Sequence, residues 1–392
     1  MDIDSLRAWW WHRQGLDGSL AGATPAVVLA RSGWARSVGG ANPYVSLFAR
    51  AGTSRQAADN AVKALDIYEL PSARGCTYVL PAEHFGLGLQ LGRGAAEGEA
   101  RILEKLGVPR SELDAVGAAV LTVLDGGAVL DPAQLKDELG GQVRNLGEEG
   151  RRRGQTTTLP ATLGLLQAAG EIRRVPVNGR LDQQRYGYVR WQPPSSGLDD
   201  GEARAELARL YFDWTGPATL AQFRWFSAFT VAQTKAAIAG LDLLDLGGGW
   251  LAPPAVVESF KAYRAPTKPQ YALLAGIDAL ILLRRDVPTL IDEADAAQPV
   301  PGEKMQVGGV TDLTDHAIVD RGRLVGLWQY EVDSGDVVTW LFGGAKPDSA
   351  LRKQIARTQA FVRDELGDAR SFSLDSPRSR VPRISALRSA MG

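Results

Sequence analysis

The chain has 392 residues, a formal net charge of −1 and 45% hydrophobic residues, which suits a globular protein with room for about two to four packed units. One cysteine, Cys76, excludes a disulfide framework, and three scattered histidines, His12, His84 and His316, argue against a His/Cys metal site. No apolar run approaches the roughly 20 residues that span a bilayer, and the start Met1-Asp2-Ile3-Asp4 is acidic where a secretory leader is basic, so a cytoplasmic protein without metal or cofactor is expected.

Ser5–Gln14, with Trp9-Trp10-Trp11, predicts a helix whose aromatic face is buried in the first core. Thr24–Ser32 predicts a second helix, with Thr24 as cap and Pro25 at its first position. Gly33–Asn42 is irregular, and a helix follows from Pro43 through Tyr44, Leu47, Phe48 and Arg50, with Asn42 as its expected cap. A pattern then appears for the first time. Thr53-Ser54-Arg55 opens a helix through Ala57, Ala61, Val62 and Leu65, and a two-stranded segment, Ile67–Leu80, stops at Pro81. Gly86-Leu87-Gly88 up to Gly94 lacks the spacing of a dinucleotide loop.

Ser111–Leu124 and Pro132–Leu139 predict two helices, and Leu146–Gln155 is a loop carrying Arg151-Arg152-Arg153. Thr157-Thr158 opens the next helix, through Leu163, Leu166 and Ala169, and Glu171–Trp191 is the second hairpin, with Asn178-Gly179 at its tip. After a linker at Pro193–Gly201 come helices at Glu202–Trp214, Pro217–Ser227 and Val231–Gly240, the last opening on Thr230. A third hairpin, Leu241–Leu251, turns at Gly247-Gly248-Gly249. Short β-like runs follow at Ala279–Leu283, Ala317–Val319, Leu324–Val332 and Val337–Phe342. The acids Asp286, Asp292, Glu293 and Asp295 are expected to be a solvated edge. Ala350–Leu366 is a closing helix, and Gly367–Gly392 is an Arg/Ser/Pro tail with little apolar content, expected to be loose or ordered by DNA.

Helix, helix, Thr-opened helix and hairpin is the order of a winged helix, and it is written three times. The fold class expected is mainly α with β (α+β). Its units are 1–110, 111–195 and 201–255, then a β-rich domain at 268–345 and a helix with basic tail at 346–392. Charge is unevenly spread. Arg144–Arg190 holds nine Arg, no Lys and four acids, and Arg352–Arg388 holds nine basic residues against four acids. An Arg-rich face suits phosphate forks, so double-stranded DNA is the expected partner, bound by a monomer. The candidate contacts are Arg144, Arg151, Arg152, Arg153, Thr157, Arg173, Arg174, Arg180 and Arg185.

Four segments give the pattern a likeness. They are Gly201–Leu246 with Ala203–Tyr211, Gly216-Pro217-Ala218-Thr219 and Phe223–Phe226; the hairpin Glu171–Trp191; Arg74–Glu83; and Leu273–Asp278 with Arg284-Arg285. Over residues 5–345 the chain resembles the winged-helix DNA-binding family that includes the bacterial crosslink-repair DNA glycosylases AlkZ and YcaQ. The resemblance implies three tandem winged helices and a β-rich domain around duplex DNA, and gives Asp278 a place in a retained segment, where two roles are open: bracing Arg284 or Arg285 as a structural ion pair, or orienting a group that faces the DNA.

The departures bear on catalysis. The family's Gln-x-Gln or Gln-x-Asp motif, anchored on Pro43, falls on Gly39-Gly40-Ala41, so Gly39 and Ala41 stand where its carboxamides would be. Tyr78 replaces the family's His and Ala275 its Pro. Base excision needs a group that positions water and stabilises a cationic sugar, which Gly and Ala cannot supply. Asn42 and Arg36, with Ser37, are the polar residues left nearby as catalytic candidates. Two functions follow as expectations: a non-catalytic, damage-related DNA-binding protein, or a monofunctional glycosylase with an altered site. A transcriptional regulator is a third.

Overall fold

The computed structural model describes residues 2–183 and 185–390. Its strands form four small antiparallel sheets among many helices, an α+β architecture. In the first sheet Thr77–Pro81 lies between Ala35–Arg36 and Ile67–Pro71. The second is the pair Ile172–Pro176 and Tyr186–Arg190, and the third places Trp250–Ala252 between Ala218–Thr219 and Leu244–Asp245. The fourth is a meander of Tyr271–Leu274, His316–Asp320, Arg323–Glu331 and Asp336–Leu341.

A helix precedes each of the first three hairpins, but hydroxyls cap them unequally. Ser54, not Thr53, caps Arg55–Ala64 by accepting from the Ala57 amide at 3.2 Å. Thr230 caps Val231–Ile238 in a reciprocal box with Gln233. Thr158 precedes Leu159–Ala168 without capping it, because its buried hydroxyl accepts from the Arg144 amide at 3.2 Å. The helix after Gly39–Ala41 begins at Asn42 and runs to Ala51. Ala41 is its cap residue, so Asn42 does not cap it.

The helix Ile3–Arg13 buries all three tryptophans. Trp9 and Trp10 donate their indole N–H groups to the carbonyls of Gly216 and Pro217 at 2.9 and 3.0 Å. This fixes the N-terminal helix to the third helix group. Phe85–Glu104 is a 20-residue helix in spite of five glycines, because some of them are slots. A Cβ on Gly92 would stand 2.6 Å from the Pro71 carbonyl oxygen, so glycine lets the first hairpin's end lie directly on the helix.

Three segments differ from expectation. Gly147–Arg152, expected within a loop, is a short helix with Glu148 and Glu149 in its first turn and Arg151 and Arg152 in its last, charges that suit the helix ends. Ala279–Leu282 is a helical turn, capped by Asp278, which accepts from the Leu280 amide at 2.9 Å. A short apolar run fits strand or buried helix alike, and the cap decides. The tail is not loose. Pro377–Ala390 is a helix whose Arg380, Ile384 and Leu387 are buried on one face. Arg380, Arg383 and Arg388 pair with Asp368, Asp375 and Glu331 at 2.6, 2.9 and 2.5 Å, so much of the charge that looked available is used within the protein. Among the described residues no helix is long and apolar enough to cross a membrane.

Candidate nucleic-acid interface

The segment Gly39–Ala41 leaves the edge strand Ala35–Arg36 and enters the helix Asn42–Ala51. Residues 370–373 lie across it. The Ala41 amide donates to the Arg370 carbonyl at 2.9 Å, and the Ser373 amide donates to the Val38 carbonyl at the same distance. A Cβ on Gly40 would sit 2.2 Å from the Ser371 carbonyl oxygen, and Gly39 has a φ of 70°. Ala41 is buried. The chain's own C-terminal segment occupies the space a side chain at 40 would need.

Neither polar neighbour opens onto solvent freely. Asn42 is buried, its amide donating to the Arg36 carbonyl at 2.7 Å, with its Oδ1 3.1 Å from the Ser46 hydroxyl. Arg36 is half-buried, donating to the Thr77 carbonyl at 2.7 Å with its guanidinium 5.4 Å over the Tyr78 ring. The Ser37 hydroxyl is buried without a partner among the described residues.

Asn42, Ser46 and Arg50 recur at four-residue spacing on one helical face, and that face carries a buried network. Arg50 forks onto both oxygens of Asp278 at 2.8 Å and donates to Gln14 at 2.9 Å, while Ser46 donates to Asp278 at 2.6 Å. Burial opposes ionisation of Asp278, but the Arg50 guanidinium and the Ser46 hydroxyl outweigh it and hold the carboxyl below the ordinary carboxylate range. Arg284 instead lies 4.1 Å over the Trp10 ring and donates to the Thr215 carbonyl, and Arg285 pairs with Asp312. The retained aspartate therefore braces Arg50, a partner that sequence reasoning missed. The 42/46/50 spacing was the signal for it.

The candidate DNA contacts divide into two groups. Arg151, Arg152 and Arg153 are exposed on the helical turn Gly147–Arg152 and just after it, with Arg151 and Arg153 in solvent-facing pairs with Glu148 and Glu149. Arg144 reaches Glu112 and the Gly107 carbonyl, and Arg185 is exposed. Thr157 is half-buried, bridging to Asn145. The remaining hairpin arginines turn inward. Arg173 donates to the Tyr68 hydroxyl at 3.0 Å, Arg174 donates to Gln167 at 3.1 Å and covers the Tyr186 ring, and Arg180 engages Asp182 and the Leu366 carbonyl. The second hairpin is wedged against the first unit and the C-terminal segment, so these three guanidinium groups find protein before solvent.

A cleft of about 580 Å³ lies between the first sheet and the helix Leu159–Ala168. Glu69, Thr77, Lys136, Thr157, Gln167 and Arg174 line it. Glu69 stands opposite Val79, whose other neighbour is Ala35. Glu69 is only 5% exposed, and its Oε2 has no hydrogen-bond partner among the described residues. Burial, then the charge of Glu69 and a hydrogen bond to it, pushes the Tyr186 phenol upward, so the carboxylate faces a buried hydroxyl rather than standing alone.

Residues 32–369 match the family described as DNA glycosylase AlkZ-like. The chain matches no curated protein sequence. Among solved structures it is similar to the Streptomyces sahachiroi DNA glycosylase AlkZ, with a TM-score of 0.66 and 20% identity over 95% of this chain and 98% of that one. At that identity the likeness concerns the fold, whereas the family match spans most of the sequence. The chain belongs to the AlkZ-like DNA glycosylase family.

Proposed function

We propose that the protein is a double-stranded DNA-binding member of its family, acting in DNA repair. Its three helix-and-hairpin groups serve as winged helices, and it does not excise bases at the position the family uses. The observation that carries this is that Gly39 and Ala41 stand where the family's carboxamides would be, with Ala41 buried beneath the Arg370–Ser373 segment. Excision from Arg36 or Asn42, the alternative, is opposed by their engagement with Thr77, Tyr78 and Ser46. Arg151, Arg152, Arg153 and Arg185 are the outward groups for phosphates.

The test is a base-release assay on alkylated and crosslinked duplexes, run beside binding to the same duplexes. Binding without release is expected. Release abolished by Asn42→Ala would place the protein among the glycosylases, and binding confined to one sequence would make it a regulator. Placing Gln at 39 and 41 is not expected to restore release, since Gly39 has a left-handed backbone and Ala41 lies beneath the C-terminal segment.

A further inference from the structure

The second basic stretch of the sequence, Arg352–Arg388, divides in the structure. Arg363, Arg380, Arg383 and Arg388 pair with acids, whereas Lys353 and Arg357 pair with none among the described residues. Both lie on the helix Ser349–Phe361, which holds no acid of its own. Like charges four residues apart share a helical face and repel each other. Gln354 and Thr358 extend that face, and Thr358 is only 3% exposed. Among the described residues, none of these four side chains spends a hydrogen-bond donor inside the protein.

All four border a pocket of about 390 Å³. Leu16, Ala21, Phe48, Ala49, Ala272 and Leu273 give it an apolar wall. Asp17, the one acid lining it, is tied to His12 at 2.6 Å, and Arg50, which also lines it, is engaged by Asp278. Arg357 is held over Phe48, its guanidinium 4.5 Å from the ring centroid, and Phe48 stacks in turn on Phe361 at 4.0 Å. That cation is positioned in advance, so less freedom is lost when an anion meets it. Unspent donors facing an apolar wall select a molecule with an anionic head and an apolar body. A carboxylate brings one charge and two oxygens. A phosphomonoester brings nearly two charges and three acceptor oxygens, which matches two cations and two neutral donors.

We propose that this pocket binds a small, free phosphomonoester with an apolar body, its phosphate against Lys353, Gln354, Arg357 and Thr358 and its body against the Phe48 wall. None of the candidate DNA contacts lines the pocket, so the site stands apart from the function above. It concerns binding only and requires no bond cleavage.

The experiment titrates the full chain calorimetrically with 1-naphthyl phosphate, inorganic phosphate and 1-naphthol. The naphthyl phosphate is expected to bind about tenfold or more tightly than either fragment, because it alone engages both the donors and the apolar wall. Lys353→Gln and Arg357→Gln should each weaken it by about tenfold and Thr358→Val by about threefold, with binding of 1-naphthol unchanged. Lys353→Gln lies at an exposed position, and thermal unfolding of each variant separates a lost contact from a lost fold. No binding of the naphthyl phosphate overturns the proposal. So does an affinity no better than that of inorganic phosphate, which would mean a surface anion only, or an affinity that survives all three substitutions. The phosphates of a DNA backbone are the other source of the same oxyanion. Competitive displacement of the naphthyl phosphate by a short duplex would assign these cations to DNA and overturn the free ligand, whereas simultaneous binding of both supports it.

Discussion

Arg50 and Asp278 are 1% and 0% exposed at their side chains, so removing either strands its partner's charge where water cannot reach. Arg50→Met or Asp278→Asn is expected to cost about 3–5 kcal/mol in urea unfolding, and the double variant less than the sum. Additive losses would show that the two groups are independent. His316 gives a pH test. Burial pushes its pKa from 6.5 down to about 4, while its ring accepts from the Gly276 amide and faces the Ala369 carbonyl at 2.6 Å. Arg380 and Arg383 oppose a proton there and Asp375 favours one. The unfolded chain takes up that proton first as pH falls, so stability is full above about 6.5 and drops between there and about 4, by up to about 3 kcal/mol for this group. His316→Gln should flatten that part of the stability profile. An unchanged slope between pH 7 and 4.5 would assign the acid sensitivity elsewhere.

The helix Phe85–Glu104 offers a pair of substitutions with opposite signs. Gly92→Ala forces a methyl against the Pro71 carbonyl and should destabilise by about 1–3 kcal/mol, although alanine is the better helix former. Gly94→Ala has nothing within 4 Å and should stabilise by about 0.5–1 kcal/mol. If both moved the same way, glycine would be serving backbone freedom rather than packing. These five glycines also explain why the helix was illegible: locally they signal breaks, and the reason for three of them lies elsewhere in the chain, with Gly88 and Gly92 against the first hairpin and Gly86 against the linker at 194–196. Capped helices such as Pro132–Leu139, with Asp131 and Gln134, could be read to the residue because their signals are local. The terminal helix could not, since Arg380, Ile384 and Leu387 are diluted by Ser and Arg and acquire meaning from Asp368 and the β meander. Deleting 376–392 uncovers the partners of Ile384 and Leu387, which alone contribute about 3–6 kcal/mol, so a large drop in melting temperature is expected. A melting temperature left in place would mean the helix docks only weakly.

At the scale of the whole molecule, the near-neutral charge hides the basic loop, and duplex affinity should fall steeply with salt. Replacing Arg151, Arg152 and Arg153 with Ala should weaken binding to all sequences alike and lower the log–log salt slope by about two to three units. An unchanged slope would move the footprint to another face. The exposed arginine run was legible because three adjacent arginines are a local signal, although the loop expected around it folds as the short helix Gly147–Arg152. The inward hairpin arginines and the Glu69 cleft were not, because each depends on residues far along the chain. That same distance governs how the protein comes into being. The first helix's Trp9 waits for a carbonyl 207 residues downstream, and at about 5–20 residues per second a ribosome delivers it roughly 10–40 s later. The backbone groups at Val38 and Ala41 wait longer still, for Arg370 and Ser373. The unit that carries Trp9 therefore leaves the exit tunnel with its tryptophans and the Val38–Ala41 backbone uncovered, and it can finish folding only after residues 370–373 have been translated. During synthesis, this unit is the part most in need of a chaperone.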